Sequence, residues 1–478
     1  MKLFPPRFIE RMKELLPASE LDAFLENATR PIPKTIRIAS KSKLAKCHPK
    51  SWHLSPVAEI PEAFFITRDD QTSLPLGKTL EHFTGEMYIA SLSSLLAVHV
   101  LDPKPGEKIL DIAAAPGSKS TFIADRMRNT GILAVNEPSS SRSSKLAANL
   151  ERMGVQNYIL FQNDGTLLDR GFSEEFDRIL LDAPCSSEGF GRKDSDYFEK
   201  MWSERKIFEA AKLQKKLIVS AFHMLAPGGT MIYSTCTSAP EENEAVVQHL
   251  LDKYPENVEI FPIDLGTIPH KKGVEHFFEQ KMCSSISKNV RRIFPHLTSE
   301  KWDSEIFFLA RITKKSSLDL PSPNRQKRGS FSFVGKEKTT KILSHLSETF
   351  GIDSKYFEGQ KLVDHSGKIF LTTEEAAEFA LHHPHKRLGL PMLDTNEYMT
   401  SAFAFHFGLL ATKNVISLTA EEKKTWLMGS DIVRTGETDI PDGNEVLVKF
   451  QDFCLGWGKS QNHGMKVKNK LDRSLVFS

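Results

Sequence analysis

Leu180-Leu181-Asp182-Ala183-Pro184-Cys185-Ser186-Ser187-Glu188-Gly189 is the stretch around which this chain of 478 residues is organised. The apolar run before the acid is typical of a buried strand, and small residues and a glycine follow the Pro-Cys pair. A buried strand that ends in this way sets a carboxylate and a thiol at the carboxyl edge of a sheet, where open α/β sheets bind ligands. Read alone, the stretch predicts that Cys185 is a nucleophile.

Short apolar runs alternate with helical segments on both sides of this stretch. The predicted strands are 108–112, 132–135, 158–161, 178–181 and 230–234, with 306–312 as an apolar closing strand. The predicted helices are 88–100, 119–127, 141–153, 208–225 and 241–251. Strand and helix in alternation predict an α/β fold with a parallel, doubly wound sheet of buried strands.

The chain is too long for one ordinary domain, and its composition changes along its length. Residues 6–28 have helical spacing and residues 30–38 are basic and β-prone, so 1–75 is predicted as a small α+β domain ahead of the main α/β domain at 76–313. Residues 313–330 are rich in Ser, Pro and cations, which predicts a linker at 314–332. A middle α+β domain is predicted at 333–387. A β-rich domain is predicted at 388–478, where 446–450 and 454–459 read as two strands joined by a turn.

The composition restricts the class of protein. The formal net charge is only +2, so any surface that binds nucleic acid must be a local one. The five cysteines form no CxxC pair, and we expect no metal site. Sparse, odd-numbered cysteines suit a reducing cytosol, the first 16 residues lack an apolar signal core, and no apolar run approaches the roughly 18 residues that a membrane span needs. We therefore expect a cytoplasmic protein and, because no heptad seam is present, a monomer.

The residues that follow the strand at 108–112 predict a site for a nucleotide-like ligand. They are Ala113, Ala114, Ala115, Pro116, Gly117, Ser118 and Lys119. Small residues allow a ligand close to the backbone, and Gly117 allows a turn that other residues resist. The N-terminus of the helix beyond favours an anionic group such as a carboxylate. The segment is neither a GxGxxG motif nor a Walker loop.

Four successive strands end at or near an acid: Asp111, Glu137, Asp164 and Asp182. An acid after the second strand can accept both hydroxyls of a ribose, and a side chain after the third can reach an adenine amino group. Taken singly, each acid is more often a loop cap or a solvated residue. Together they predict an adenosine-type ligand with a ribose and no phosphate, and S-adenosylmethionine is such a ligand.

A second cysteine, Cys236, follows the strand that ends in Ser234-Thr235. If this strand neighbours the one that ends at Asp182, Cys185 and Cys236 lie close together beside the cofactor. The alternative is two buried cysteines that act as small hydrophobic residues. Each cysteine, however, follows a strand end rather than lying inside a strand.

These groups suit methylation at carbon 5 of a pyrimidine. Carbon 5 by itself is a poor nucleophile, and a thiolate that adds at carbon 6 makes it enamine-like. A carboxyl or hydrogen bond at N3 disperses the charge that develops. After methyl transfer, a base must remove the carbon-5 proton so that the thiolate can leave.

The chain resembles the Sun/Nop-type RNA cytosine-5 methyltransferases over roughly residues 1–313. The matching segments are 114–119, 182–186, 234–237, 240–244 and 292–296, although Ser118 and Ile306 stand where glycine is usual. The resemblance implies that Cys236 is the nucleophile, that Cys185 assists release of the adduct and that Asp182 holds the cytosine at N3. It implies that S-adenosylmethionine is bound by 113–119 with Glu137, Asp164 and Asp182.

Within that family the chain is most similar to the bacterial type that modifies a cytosine in the decoding region of small-subunit ribosomal RNA. The similarity lies in residues 303–308 and in a C-terminal unit that resembles a PUA domain, through 456–459 and 466–469. It implies 16S ribosomal RNA within the assembled small subunit as the partner. The alternatives are the same chemistry on transfer RNA, or a non-catalytic RNA-binding protein of ribosome assembly. The intact acids and both cysteines argue against the non-catalytic alternative.

Basic residues near the C-terminal end are candidates for contacts with RNA. They are Lys459, His463, Lys466, Lys468, Lys470 and Arg473, with Trp457 and Phe450 beside them. Phosphate contacts and an occasional stacked base suit this composition, although a basic segment is more often merely solvated. A basic rim around the active-site cleft is predicted from Lys271, Lys272, Lys288, Arg291 and Arg292.

Overall fold

A computed structural model of the chain describes residues 4–69, 74–194, 196–278, 280–323, 331–435 and 440–477. The chain forms two compact units. The first comprises Met1–Gln71, Tyr88–Leu146 and Leu160–Gln326, and the second comprises Thr72–Met87, Ala147–Ile159 and Lys327–Ser478. The domain boundaries proposed from the sequence stay predictions, and part of the proposed linker, 324–330, lies outside the described residues.

The helices and strands are numbered along the chain. The N-terminal elements are α1 (Pro6–Leu15), α2 (Ala18–Asn27), β1 (Thr35–Ile38), β2 (Trp52–Pro56), β3 (Ala63–Arg68), α3 (Leu80–Phe83) and β4 (Met87–Ile89). The central elements are α4 (Leu92–Leu101), β5 (Lys108–Asp111), α5 (Ser118–Arg126), β6 (Ile132–Asn136), α6 (Ser140–Arg152), β7 (Tyr158–Phe161), β8 (Phe176–Asp182), α7 (Tyr197–Lys200), α8 (Glu204–Met224), β9 (Leu225–Thr235), α9 (Glu244–Lys253), β10 (Val258–Phe261), β11 (Lys271–Lys272), β12 (His276–Phe277), β13 (Gln280–Lys281), α10 (Ser284–Asn289), β14 (Arg291–Ile293) and β15 (Phe307–Lys314). The C-terminal elements are β16 (Ser332–Phe333), α11 (Lys336–Phe350), β17 (Gln360–His365), β18 (Lys368–Thr373), α12 (Glu374–Leu381), β19 (Arg387–Leu388), β20 (Leu390–Leu393), α13 (Ser401–Phe407), β21 (Val415–Ser417), α14 (Ala420–Leu427), β22 (Ile432–Val433), β23 (Glu445–Phe450), β24 (Phe453–Gln461) and β25 (Lys466–Asn469).

The main sheet runs in the order β11-β14-β15-β9-β8-β5-β6-β7. Strands β5, β6, β8 and β9 are mutually parallel, and β6 and β7 are buried along their whole length. Burial on both faces explains the continuous apolar runs of the sequence. The predicted α/β fold is confirmed.

The closing strand β15 runs antiparallel to β9, so the sheet is mixed rather than wholly parallel. Strand β15 also pairs antiparallel with β14, and the residues between these two strands, 294–306, contain no α-helix. A parallel connection needs a crossover, usually a helix, whereas an antiparallel strand can return through a loop. The helix predicted at 88–100 is wrong at its start, because Met87–Ile89 forms β4 beside β1.

The second unit contains two sheets, in the orders β16-β17-β18-β20 and β21-β23-β24-β25-β22. The predicted strands 446–450 and 454–459 are confirmed as β23 and β24, which pair antiparallel. Their inward side chains pack with helices α13 and α14 in two hydrophobic clusters. Within the described part of the chain, no helix is both long and apolar enough to span a bilayer.

Candidate active site

The two cysteines meet at the carboxyl edge of the main sheet. Strands β8 and β9 are parallel neighbours, with Asp182 opposite Ser234. The Sγ atoms of Cys185 and Cys236 lie 3.2 Å apart, and both are free thiols. The predicted proximity of the two thiols is confirmed. Contact with Cys236, together with burial, raises the pKa of the Cys185 thiol well above its ordinary value. Two thiolates so close together would repel each other, so Cys185 keeps its proton when Cys236 is ionised.

Asp182 is fixed by two partners. Its Oδ2 lies 2.6 Å from Nζ of Lys119, and its Oδ1 accepts a hydrogen bond of 2.7 Å from the Ser234 hydroxyl. Its side chain is 26% exposed, which leaves the carboxylate accessible to a ligand. Burial lowers the pKa of Lys119, but Asp182 and Asp111 outweigh this effect and the net pKa is raised. The pair is therefore an ammonium beside a carboxylate.

The loop after β8, residues 183–187, is held by side chains from distant segments. Glu242 Oε2 accepts hydrogen bonds of 2.9 Å from the Ser186 N–H and from Nε2 of Gln214, which also donates to the Pro184 carbonyl at 2.9 Å. The Tyr197 hydroxyl donates to the Ser186 carbonyl. Burial raises the pKa of Glu242 to about 7. These contacts fix the backbone on both sides of Cys185.

Sequence reasoning missed Gln214 and the position of Glu242. Gln214 is completely buried on α8, between Ala211 and Leu217 on its apolar face. A polar residue at an apolar helical position was the available signal. Glu242 lay inside the matching segment 240–244 without an assigned role.

The loop after β9, residues 236–239, is held by a different set of partners. The Gly189 N–H donates to the Cys236 carbonyl at 2.8 Å, and Glu188 Oε2 accepts from both the N–H (2.8 Å) and the hydroxyl (2.5 Å) of Ser238. A Cβ at Gly189 would lie 3.0 Å from the Ile306 carbonyl oxygen and 3.3 Å from that of Cys236, so this close approach favours glycine.

The predicted cofactor loop, 113–119, follows β5 as expected. Gly117 has φ 112°, a conformation that side chains resist, and α5 begins at the next residue. Burial raises the pKa of Asp111 to about 7; its Oδ2 accepts from the Ser120 hydroxyl at 2.7 Å, and its Oδ1 has no hydrogen-bond partner among the described residues. A buried polar atom without a partner at the edge of a sheet indicates a place for a ligand group.

The other two predicted cofactor acids differ in their surroundings. Glu137 is 1% exposed at the end of β6, and its Oε1 accepts from the Ser139 N–H at 3.0 Å. Asp164 is exposed, and its Oδ1 caps a short 3₁₀ helix by accepting from the N–H and the hydroxyl of Thr166. Asn136, which sequence reasoning missed, connects three strand ends through hydrogen bonds with Ile112 and Asn163.

One member of the predicted basic rim does not lie on the surface. Arg292 is 3% exposed, forms a buried ion pair with Glu244 and donates to the Ser238 carbonyl at 2.8 Å. A buried guanidinium needs such partners because desolvation is costly. Its role is to support the loop after β9. Lys272 and Lys288 are exposed.

Four of the predicted RNA-binding residues of the second unit, Lys459, Lys466, Lys468 and Lys470, line a cavity of about 540 Å³, whereas His463 and Arg473 are not part of its lining. Its lining is Asp442, Gly443, Lys459, Ser460, Gln461, Asn462, Lys466, Lys468 and Lys470. Lys459 donates to the Tyr398 hydroxyl at 2.8 Å, and Lys466 pairs with Asp431 at 3.2 Å. The prediction that Trp457 stacks on a base of the RNA is wrong, because its side chain is 4% exposed and packs in the core.

Three family descriptions match consecutive parts of the chain. Residues 4–90 match the N-terminal domain of 16S rRNA methyltransferase RsmF, 98–313 match 16S rRNA methyltransferase RsmB/F, and 413–477 match the methyltransferase RsmF PUA domain.

Relatives match over nearly the whole length. Ribosomal RNA small subunit methyltransferase F of Cronobacter sakazakii is 36% identical over 99% of this chain and 96% of its own. The protein of the same name from Vibrio parahaemolyticus is 35% identical, over 99% and 97%. A solved methyltransferase homologue from Pyrococcus horikoshii is 31% identical with a TM-score of 0.55, covering 66% of this chain and 96% of its own. NSun6 from Pyrococcus horikoshii, solved with SFG, shares the fold at 22% identity and TM-score 0.55, over 66% and 100%.

Proposed function

The chain belongs to the RsmF family of 16S ribosomal RNA methyltransferases, and from this premise we propose that it methylates carbon 5 of a cytosine in the decoding region of that RNA. In the proposed reaction Cys236 forms a covalent bond with carbon 6 of the base. Cys185 assists release, and Asp182 holds the base at N3.

The observation that carries the proposal is the pair of free thiols 3.2 Å apart beside the ion pair of Asp182 and Lys119. One thiol can attack only as the thiolate, and its neighbour then keeps its proton. The second thiol is therefore available for a different step. A mechanism that needs only a nucleophile would not require this second thiol.

Bonds and protons balance in four steps. The Cys236 thiolate adds to carbon 6, and Asp182 with Lys119 stabilises the charge that develops around N3 and O2. The electron pair of the enamine at carbon 5 then forms the bond to the methyl group, and the electrons of the former methyl bond stay on the donor sulfur. With Cys236 held as a neutral thioether, the Cys185 thiol releases its proton to solvent and, as the thiolate, takes the carbon-5 proton. The electron pair of that C–H bond restores the C5–C6 double bond and expels the Cys236 thiolate.

S-adenosylmethionine supplies an electrophilic methyl group when bound. The residues that would hold it are the loop 113–119, Glu137, Asp164 and Asp182. The unpartnered Oδ1 of Asp111 and the left-handed backbone of Gly117 fit a ligand close to this loop. The buried carboxylate of Glu137 fits the hydroxyls of a ribose.

We assign the lysine-lined cavity of the second unit to contacts with ribosomal RNA. Four lysine side chains line it, and phosphate contacts of this kind position a protein on RNA without reading the sequence. Replacing Lys468 and Lys470 together by Gln should weaken binding to small subunits and flatten its dependence on salt. Methyl transfer at saturating subunit concentration should be preserved.

The chemistry is tested with RNA that contains 5-fluorocytidine. Fluorine at carbon 5 cannot leave as a proton, so the enzyme should remain covalently attached to the RNA in the presence of S-adenosylmethionine. Mass spectrometry of the digested complex should place the bond on Cys236. Absence of any adduct with the wild-type enzyme would count decisively against the mechanism.

The substrate is tested separately. Unmodified small subunits, naked 16S RNA and transfer RNA are each offered with tritiated S-adenosylmethionine, and the labelled nucleoside is identified by chromatography. We expect label as 5-methylcytidine in the assembled subunit. Label in transfer RNA would support the same chemistry on another substrate. Cofactor binding without methyl transfer to any RNA would support a role in ribosome assembly.

A further inference from the structure

A continuous chain of hydrogen bonds leads from the active-site lysine to a buried acid. Lys119 Nζ lies 3.1 Å from Ser94 Oγ, which lies 3.0 Å from Ser91 Oγ. Ser91 Oγ lies 3.1 Å from Ser93 Oγ, and the Ser93 hydroxyl is 2.6 Å from Oε1 of Glu305. The three serines stand at the start of α4, and Glu305 lies just before β15. We call these four residues, Ser94, Ser91, Ser93 and Glu305, the relay.

The direction of every bond in the relay is determined by its two ends. An ammonium can only donate and an ionised carboxylate can only accept, while a serine hydroxyl has one proton to give. The Ser93 hydroxyl donates its hydrogen bond to Glu305, so the Ser93 oxygen must accept a hydrogen bond from Ser91. The Ser91 oxygen must in turn accept a hydrogen bond from Ser94, and the Ser94 oxygen accepts one from Lys119. The hydroxyl dipoles therefore align head to tail between a cation and an anion.

The surroundings of Glu305 support an interaction between its carboxylate and the Lys119 ammonium through the relay. The residue is 3% exposed, and its carboxylate accepts hydrogen bonds from the Ser93 and Ser304 hydroxyls. Across the described ranges, no Lys, Arg or His side chain forms an ion pair with Glu305. A buried carboxylate without a neighbouring cation is costly. The aligned hydroxyls connect it to the ammonium of Lys119.

We propose that Ser94, Ser91, Ser93 and Glu305 are positioning residues that hold the Lys119 ammonium against Asp182. The inference rests on the proposed function, because Asp182 is the group assigned to the base. It assigns to α4, which carries none of the predicted catalytic residues, an electrostatic contribution to the reaction.

Three acidic groups raise the pKa of Lys119 from the surrounding elements: Asp182 after β8, Asp111 at the end of β5 and Cys236 after β9. The proposal adds Glu305, which acts through the relay. Each of them in its ionised form favours the ammonium. Loss of the Glu305 charge must therefore lower the pH at which Lys119 gives up its proton.

The test measures the titration of Lys119 directly. Trace acetylation with acetic anhydride across pH 8–12, read by mass spectrometry of the Lys119 peptide, reports the protonation of its amine whether or not the enzyme turns over. With Glu305→Gln the midpoint should fall by about one pH unit. Ser91→Ala, which interrupts the relay without touching either end, should lower it in the same direction by less.

A double variant tests whether the relay acts as one unit. Ser91→Ala should change the midpoint less in the Glu305→Gln background than in the wild type, since coupled groups are not additive. With small subunits as substrate, kcat should fall about tenfold in Glu305→Gln and by less in Ser91→Ala, and the alkaline limb of its pH profile should move down with the midpoint. KM for S-adenosylmethionine should change less than kcat.

The matched control is Ser287→Ala, a buried serine of α10 that donates to the Ser284 carbonyl and has no contact with the relay. It should leave the Lys119 midpoint unchanged. An unchanged midpoint in both Ser91→Ala and Glu305→Gln, or strictly additive changes, would overturn the proposal. If Glu305→Gln does not fold, Ser91→Ala decides alone. A wild-type enzyme that methylates no cytosine contradicts the proposed function but leaves the acetylation result readable.

Discussion

The loops after β8 and β9 each carry a cysteine at the same edge of one sheet, yet they are held by different partners. Side chains of Glu242, Gln214 and Tyr197 fix the backbone around Cys185. The loop of Cys236 is held by the Gly189 N–H, by the Glu188 carboxylate on Ser238 and by Arg292 on the Ser238 carbonyl. Burial and its neighbour raise the pKa of Cys185. Two identical side chains 3.2 Å apart therefore stand in loops with different hydrogen-bond partners, and the proposed mechanism gives them different roles.

Replacing each of the two cysteines by alanine tests the comparison between the loops, and it has the largest expected effect. Cys236→Ala should abolish adduct formation and lower methyl transfer by more than about 10³-fold, because the nucleophile is lost. Cys185→Ala should instead accumulate enzyme bound covalently to ordinary, unfluorinated RNA. Denaturing gels of enzyme with labelled RNA measure both. Cys47→Ala, at an exposed free cysteine, serves as control. The reverse pattern would make Cys185 the nucleophile.

Glu242→Gln tests the electrostatics of the Cys185 loop. Burial raises the pKa of Glu242 from 4.5 to about 7. The contribution of Glu242 to the free energy of unfolding of the wild type is therefore largest below pH 4.5, and it is lost as the pH rises to about 7. Glutamine does not titrate. The free energy of unfolding of Glu242→Gln relative to the wild type should therefore rise between these pH values, by at most about 3 kcal/mol.

Urea unfolding at pH 5, 6, 7 and 8 measures this difference for Glu242→Gln. Because the pKa of Asp111 is raised in the same range, only the difference between variant and wild type is informative. Glu199→Gln, at an exposed position, should show no such trend. A difference that stays constant with pH would mean that Glu242 titrates in the folded protein as it does in the unfolded chain.

Gln214→Leu removes the amide that joins Pro184 to Glu242. Two buried acceptors then lose a donor, and we expect a loss of about 2 kcal/mol in the free energy of unfolding. Release of the adduct should slow more than its formation, because the loop of Cys185 is the one disturbed. Single-turnover assays that follow both the adduct and the methylated product separate the two rates. Slower formation with unchanged release would contradict this division.

Ser238→Ala should have the smallest effect, on the loop of Cys236. The hydroxyl bond to Glu188 is lost, while the N–H of the same residue keeps its bond to the same oxygen. A loss of about 1 kcal/mol in stability is expected, with adduct formation within about threefold of the wild type. Thermal unfolding and the fluorocytidine adduct assay measure the two quantities, with Ser144→Ala on exposed α6 as control. A loss as large as that for Gln214→Leu would remove the contrast between the loops.

Much of the fold could be predicted because burial of a strand restricts the residue types along that strand. The run 158–161 matches β7 residue for residue, since a strand buried on both faces must be apolar throughout. The start of the helix predicted at 88–100 was wrong, because pairing of β4 with β1 is not visible in local periodicity. Trp457 and Arg292 were expected at RNA-facing surfaces, and both are buried. Residue type alone does not reveal the partners that make burial of a guanidinium favourable.

The sequence by itself determined which reactive groups stand at the ends of which strands: Cys185 and Asp182 after one apolar run, Cys236 after another. Only the tertiary structure decided how those groups differ. The thiols are 51 residues apart in the chain, and the carboxylate that holds the Cys185 loop comes from 56 residues beyond Ser186. A pKa and a buried hydrogen bond depend on neighbours in space. The relay from Lys119 to Glu305 exists for the same reason, because α4, α5 and the segment before β15 meet only in the folded chain.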